Sequence, residues 1–401
     1  MDIDQNQALL TINSGSSSLK FALFARDEAD TPQRLYRGEF TAIGAAGSFR
    51  VHNASGDRLH AQEMTTSDHA QTLKVLLEWL SKQEPSLQLA GVGHRIVHGG
   101  RRLHMPVHVS DDTIAYLHTL IPLAPNHQPA CLMGITALQV LQPRLPQVAC
   151  FDTAFHHKHP TVEQHFALPA LPVLDEVRRY GFHGLSYEYI ASVLPDHLGA
   201  LADGKIIVAH LGHGASLCAI HQRRSIATTM TFTPLDGIPM GTRCGSIDPA
   251  VSLYLQNQGM TADEVSDLLY FQSGLLGISG ETDDMAELLV SSSTSAKQAV
   301  DYFVHHTVRA IGSLAAALSG IDALVFTGGI GEHAAPIREA ICKQSEWLGL
   351  HLDTAANQLG QSCISQPDSP VQAWVIPTDE ESVIARHSLR VLKLTKQRNM
   401  P

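Results

Sequence analysis

ALLTINSGSSSLKFALF (8–24) reads as strand, turn, strand: two apolar runs with β-branched and aromatic residues, broken by six small polar residues. KIIVAHLGHGASLCAIH (205–221) repeats the plan with a one-residue slip in the turn. A third apolar run, ALVFT (323–327), leads into GGIGEH. Between them lie helical periodicities at HAQTLKVLLEWLSKQ (69–83), PACLMGITALQVLQ (129–142) and KQAVDYFVHHTVRAIGSLAAAL (297–318). Strands alternating with helices mean an α/β architecture, and the repeated hairpin implies two related halves facing each other across a cleft. We place the boundary at residues 1–155 and 156–380, with a last helix near 381–396 in the tail 381–401 packing back on the first domain. SSSTSA (291–296) reads as a surface loop opening a helix.

Bulk properties narrow the function. A chain of 401 residues exceeds one compact core and suits two domains. No run approaches the roughly 18 uncharged apolar residues of a membrane helix. MDIDQNQALL lacks the basic start of a signal peptide, so a cytoplasmic location is expected. The formal charge is −11 and Lys/Arg occur in short pairs at most, which argues against nucleic acid or a membrane as partner. An anionic substrate must then be held by a few local Arg/Lys side chains and backbone amides. The six cysteines form no CxxC pair and read as reduced thiols. His156, His157 and His159 crowd one stretch, but the spacing of helical or hairpin metal ligands is missing, so the segment reads as a solvated loop.

Gly/Ser turns between strands let backbone N–H groups approach phosphate oxygens, with hydroxyls as further donors. Asn13-Ser14-Gly15-Ser16-Ser17-Ser18 with Lys20, Gly212-His213-Gly214, and Gly328-Gly329-Ile330-Gly331 meet that need together, though any one turn alone is commonly structural. No GxxxxGK[ST] loop, protein-kinase signature or dinucleotide fingerprint with its acidic anchor is present. Four ionisable residues sit in apolar or glycine-rich settings: Arg95 in GHRIVHGG, Asp152 in CFDTAF, His183 in RYGFHG and Arg243 in GIPMGTRCG. A single such residue is usually half of a structural ion pair. Four such residues in one chain, three of them near glycines, point to a site for a small anion, and the planar guanidinium fork suits carboxylate and phosphate oxygens.

These stretches resemble the acetate kinase family, within the duplicated-domain ATPases that include actin, Hsp70 and sugar kinases. NSGSSSLKF, GHRIVHGG, LAPNHQPA, FDTAFH, RRYGFHGLSY, AHLGHGASL, TFTPLDGIPMGTR, FTGGIGEHAAPIRE and IPTDEESVIAR occur in the family's order and spacing, nearly end to end. The resemblance implies two actin/Hsp70/ribonuclease-H-like domains and reversible, Mg²⁺-dependent, direct in-line phosphoryl transfer from ATP to acetate or propionate, giving acyl phosphate and ADP. Mn²⁺ can substitute for Mg²⁺ in such a site, and a homodimer is implied. Asn13 and Glu380 would hold the metal. Arg95 and Arg243 would grip the acceptor carboxylate and phosphoryl oxygens. His183 would donate to the phosphoryl group, supported by His127 and His210. Val97, Asn126, Phe182 and Pro234 fall at acyl-pocket positions. Ser16 and Lys20, His210 to Gly214 (with Leu211, Gly212 and His213), Asp284-Met285-Ala286, and Gly329 to His333 (with Ile330, Gly331 and Glu332) would surround the nucleotide. Asp152 is often given a proton-carrying role; a carboxylate acceptor is already ionised at neutral pH, so orienting Arg95 or a metal-bound water is the more physical task.

The chain departs from the family pattern at several positions. Asn126 stands where leucine is usual, His213 and His333 replace asparagines, Ala286 stands where an arginine lies near the adenine, and Ser246 replaces an aspartate ahead of Asp248. The chemical centre is kept while the acyl pocket and the purine edge change. Two other readings follow: a carboxylate kinase with another acyl acceptor or another donor, such as a different nucleotide or pyrophosphate, and a non-catalytic nucleotide-dependent binding module. Arg95, Asp152, His183, Arg243 and Glu380 together favour an enzyme.

Overall fold

The computed structural model describes residues 7–26 and 32–398; the first six residues, on which the signal-peptide reading partly rests, lie outside them. The chain forms two compact units, one running to Ala154 and resuming at Asp379, the other spanning Phe155–Thr378.

The first unit carries an eight-stranded sheet. Its strands are β1 (Gln7–Ser14), β2 (Leu19–Arg26), β3 (Pro32–Phe40), β4 (Ala46–Asn53), β5 (Arg58–Thr65), β6 (Gln88–Ile96), β7 (Val107–His108) and β8 (Gln147–Phe151), in the order β5-β4-β3-β2-β1-β6-β8-β7. β1 pairs antiparallel with β2 and parallel with β6, and β6 pairs parallel with β8. The helix His69–Gln83 starts where the Asp68 carboxylate caps the Gln71 N–H, and buries Leu73, Leu76, Trp79 and Leu80. They meet Leu10, Ile12, Phe21, Phe40 and Phe49, with the Phe40 and Phe49 rings stacked at 4.1 Å. The helix Glu380–Arg398 packs against β1, β6 and β8.

The second unit carries β9 (Lys205–His210), β10 (Ser216–His221), β11 (Arg224–Thr228), β12 (Ala323–Thr327) and β13 (Gln372–Val375), in the order β11-β10-β9-β12-β13. β9 pairs antiparallel with β10 and parallel with β12, and β12 pairs parallel with β13. β3-β2-β1-β6-β8 and β11-β10-β9-β12-β13 therefore share one strand order and one set of polarities. That is the duplication carried by the two hairpins, and the order is the ribonuclease-H-like one. Ile206, Val208, Cys218, Ile220 and Val325 form the second core with Tyr187, Ile190 and Leu194 from the helix Gly184–Leu198.

Three sequence expectations are corrected. Gly328–His333 is a short helix, not an open turn. Gly328 itself has φ +77°, which lets the chain leave β12 and pass close under the Leu211 backbone. The 291–296 loop is shorter than expected, because the helix starts at Thr294, capped by the Ser293 hydroxyl. The stretch around His156 and His159 is not solvated: both side chains are buried. Their polar atoms find partners inside the second unit, which the absence of metal-ligand spacing could not reveal.

Candidate active site

In the first unit the site grows from the ends of three adjacent strands. Asn13 is the last residue but one of β1, Arg95 the last but one of β6, and Asp152 follows β8 directly. Parallel pairing of β6 and β8 brings Arg95 and Asp152 together: Nε lies 3.1 Å from each carboxylate oxygen and one terminal nitrogen 2.6 Å from Oδ2. Arg95 Nη1 donates to Asn13 Oδ1 at 3.1 Å. Asp152 is buried, and the Arg95 side chain keeps 21% of its surface exposed. A guanidinium has five N–H donors. Three are engaged here, which leaves one on each terminal nitrogen.

Glu380 opens the last helix of this unit and belongs to the same electrostatic group. Burial pushes its carboxyl up to about 7, against the pull of Arg95; Asp152 and Glu381 add to the rise and Lys20 opposes it. Burial alone would lower the Arg95 pKa, but Asp152 and then Glu380 outweigh it and raise it. Carboxylate pairs crowded out of water are suited to a hard divalent cation. Among the described residues no three His, Cys, Asp or Glu side chains are grouped to hold a metal unaided. The oxygen set of Asn13 and Glu380 nevertheless fits Mg²⁺, which usually binds one or two carboxylates and completes its shell with phosphate and water.

Other expected residues of this unit are placed as follows. Ser16 is exposed on the β1–β2 turn, closed by Gly15 N–H to Ser18 O at 2.8 Å, and Lys20 is exposed at the start of β2, opposite Asn13. Val97 is buried, and His127 precedes the helix Gln128–Leu141. Asn126 is partly buried and its Nδ2 has no hydrogen-bond partner among the described residues.

In the second unit the β9–β10 hairpin closes through Leu211 to Ala215. Its turn is stitched to the β12 end: Leu211 N–H donates to Thr327 O, and Leu211 O accepts from Ile330 and Gly331 at 2.8 and 3.1 Å. This brings His210–Gly214 and Gly329–Gly331 together. A Cβ built on Gly214 would stand 3.5 Å from both an Arg243 terminal nitrogen and His183 Nε2, so these three residues share one place. His183 Nδ1 lies 2.9 Å from Ser216 Oγ, and its ring stacks on His210 at 4.5 Å. His210 Nδ1 is held by Ser186 Oγ at 2.8 Å. Arg243 donates to Pro234 O at 3.0 Å; Pro234 and Phe182 are buried.

Several residues expected at the nucleotide also have structural work. Glu332 accepts from the Gly328 and Thr378 N–H groups at 2.9 and 3.1 Å, tying two loops together. Asp284 caps the helix Met285–Val290 by accepting from Ala286 N–H, and Met285 is buried. His213 pairs with Asp283 at 2.7 Å, with both groups exposed. His333 is exposed at the end of its helix. Sequence reasoning missed Ser216, whose hydroxyl contacts both His183 and Tyr187; it is the first residue of β10, opposite His210 in the hairpin register, and its meeting with His183, 33 residues away, is a tertiary contact with no local signal.

Residues 8–386 match the acetokinase family. The chain belongs to the acetokinase family. An acetate kinase of Rhodopseudomonas palustris is 51% identical over 392 residues, covering 96% of this chain and 98% of that one. A crystal structure of Porphyromonas gingivalis acetate kinase superposes with a TM-score of 0.84 at 34% identity, over 96% of this chain and 100% of that one. A Francisella tularensis propionate kinase gives a TM-score of 0.88 at 35% identity, over 95% and 98%. Membership fixes the reaction class of the chain as phosphoryl transfer with a carboxyl group as acceptor. Among the described residues no helix is long and apolar enough to cross a membrane.

Proposed function

We propose that the chain transfers the γ-phosphoryl group of ATP directly to acetate or propionate, reversibly and with Mg²⁺, forming acyl phosphate and ADP. The observation that carries this reading is Arg95. Asp152 and Asn13 fix its guanidinium, and two N–H donors remain for an incoming carboxylate. An acceptor oxygen attacks phosphorus as the bond to the ADP oxygen breaks; no proton need move, so Asp152 acts by orienting Arg95. Arg243 and His183, gathered at Gly214, would neutralise charge on the equatorial phosphoryl oxygens. Backbone N–H groups of Gly212, His213 and Gly214 and of Gly329 would cradle the nucleotide phosphates. Asn13 and Glu380 would hold Mg²⁺, which when bound supplies charge neutralisation on the phosphates. A homodimer and a cytoplasmic location complete the reading; the first is checked by sedimentation.

Hydroxamate trapping with a panel of C2 to C4 acids, against ATP, GTP and pyrophosphate, tests the assignment. Acetyl or propionyl hydroxamate formed with ATP and Mg²⁺ supports it, and no product from any acid would overturn it. Glu380→Ala should raise the Mg²⁺ concentration needed for half-maximal rate sharply. An unchanged Mg²⁺ dependence would remove Glu380 from the metal site.

A further inference from the structure

His156, buried in the second unit, is used by nothing in the reading above. Its Nε2 lies 2.9 Å from Phe182 O and its Nδ1 2.8 Å from Ser225 Oγ. The same hydroxyl lies 2.6 Å from His159 Nε2 and 3.1 Å from Cys218 Sγ. The protons of this network can be placed by elimination. A carbonyl only accepts, so His156 carries its proton on Nε2 and gives it to Phe182 O. In the neutral ring Nδ1 must then accept, and the one Ser225 proton goes there. The Ser225 oxygen has only lone pairs left, so His159 carries its proton on Nε2 and donates to it. Cys218, whose thiol burial raises to about 12, keeps its proton and donates to Ser225 Oγ or to Ala219 O. Both rings are neutral in water near pH 7, since burial lowers His156 to about 4 and His159 to about 2.

The terminus of that chain is the peptide just ahead of His183. Tyr180 and Gly181 N–H groups donate to Thr231 O at 3.0 and 3.1 Å. Gly181 has φ +83°, and a Cβ there would come within 2.5 Å of the His156 ring, so the imidazole packs directly on the glycine backbone. His183 follows with φ 56° and ψ 23°, a left-handed conformation that costs a side-chain-bearing residue about 1–2 kcal/mol. Such a conformation persists only where its surroundings over-determine it.

We infer that His156 is a positioning residue for His183: held in one tautomer by Ser225 and His159, it anchors the Phe182 carbonyl and keeps His183 left-handed, against Ser216 and His210. The inference rests on the proposed role of His183 at the phosphoryl group.

The test uses the full chain. His156→Leu removes the donor and should lower kcat at least tenfold with the KM for ATP within twofold. His156→Gln returns an N–H donor and should recover kcat to within about threefold of wild type, which a loss of packing alone would not predict. Ser225→Ala frees the His156 tautomer and should fall between them. In the wild type, ¹⁵N imidazole spectra at neutral pH should show His156 and His159 both protonated at Nε2. A His156 proton on Nδ1 would overturn the inference, as would wild-type kcat in folded His156→Leu while His183→Ala is inactive. Active His183→Ala would instead overturn the catalytic reading and this inference with it. Should His156→Leu not fold, the spectra and Ser225→Ala decide: wild-type kcat in Ser225→Ala with an unchanged His156 tautomer overturns the proposal.

Discussion

The two hairpins share a topology and differ in chemistry. β1–β2 carries a four-residue turn, Gly15–Ser18, beside buried charge: Arg95, Asp152 and Glu380 with Lys20 at the rim. β9–β10 carries a five-residue turn, Leu211–Ala215, beside stacked imidazoles and hydroxyls: His183, His210, Ser186 and Ser216. In the reading proposed above, one copy of the fold would concentrate charge where a carboxylate and a cation must be desolvated. The other would present backbone amides, imidazoles, hydroxyls and the single guanidinium of Arg243 to a ligand that brings its own charge. Duplication supplied the frame, and residues at and beyond the strand ends make the difference.

The most forceful way to break this comparison is to remove one arginine from each unit. Arg243→Ala should cost at least about 3 kcal/mol of transition-state stabilisation with the fold intact, since in the proposed mechanism its guanidinium meets charge that develops on the moving phosphoryl group. Arg95→Ala should lose activity and also destabilise the first unit by about 3–5 kcal/mol, because Asp152 would be left buried and unpaired. Steady-state kinetics and urea melts on both variants separate the two cases. An Arg243→Ala kcat near wild type would sink the second-unit assignment, and an unchanged melt for Arg95→Ala would sink the contrast.

How far this was legible in sequence follows from the same contrast. The hairpins, the helix His69–Gln83 and the residues Arg95, Asp152, His183 and Arg243 stand out because apolar periodicity and misplaced charge are local signals. The added strands β4 and β5 were not legible: AGSFRVHN has Phe49 and Val51 as its only large apolar residues, and RLHAQEMT is a mostly exposed edge strand with weak alternation. Nor was the burial of His156 and His159, since their partners Phe182 and Ser225 are far away along the chain. Glu332 reads as a ligand in sequence, and the fold adds a structural task that no local signal shows: its carboxylate accepts from two loop N–H groups.

In each unit, among the described residues, burial holds a pair of histidines well below the usual imidazole range, and acid should weaken both units. Burial lowers His94 and His98 to about 4 and 3 in the first unit, as it lowers His156 and His159 in the second. The His94 ring donates from Nε2 to Gln147 Oε1 at 2.7 Å, because the Gln147 amide nitrogen is turned to Ile135 O. Below pH 6.5 the unfolded chain takes up protons at these rings and the folded chain does not, so stability falls as pH falls toward 4. The slope is up to about 1.4 kcal/mol per pH unit for each histidine. In metal-free protein Glu380 acts oppositely, gaining its proton in the folded state first, and offsets about one of the four. Urea midpoints between pH 6.5 and 5 should therefore drop, and His94→Gln should flatten the drop by one histidine's share. Midpoints independent of pH would show that these rings charge inside the fold.

A smaller effect is expected at the purine edge of the second unit. Ala286 offers a methyl group and an N–H already given to Asp284 Oδ1 at 2.7 Å, where an arginine would add a cation–π contact of about 0.5–2 kcal/mol. His213 is turned to Asp283. With the phosphate-cradling turns kept, ATP should work at a comparatively high KM and GTP within about tenfold of it, a gap of roughly 1.4 kcal/mol. Parallel kcat/KM values for ATP, GTP and pyrophosphate check this. An ATP preference beyond about a hundredfold would mean that His213 or His333 stacks on the base, and activity with pyrophosphate alone would replace the donor.

The smallest expected effect belongs to Asn126 in the first unit, where the rule that buried polar groups find partners is broken. Its Nδ2 is buried with no hydrogen-bond partner among the described residues, so the amide does not bond the neighbouring backbone through that nitrogen. An unmade hydrogen bond at a buried N–H costs about 1–3 kcal/mol. An acyl chain of two or three carbons has nothing to offer that nitrogen, so binding acetate or propionate beside it leaves the cost in place. Leucine at this position would replace the unpaired group by apolar surface. Asn126→Leu should therefore lower the KM for acetate and propionate by about fivefold, or about 1 kcal/mol, and leave kcat near wild type. It should also raise the urea midpoint slightly, since the unpaired group is absent in the variant whether or not substrate is bound. Equal KM values for both proteins across C2 to C4 acids, with a raised midpoint, would place Asn126 away from the acyl group and keep only the stability argument. A higher KM in the leucine variant would mean that the amide meets the acceptor itself, and would make the first unit's pocket as polar as the charges that surround it.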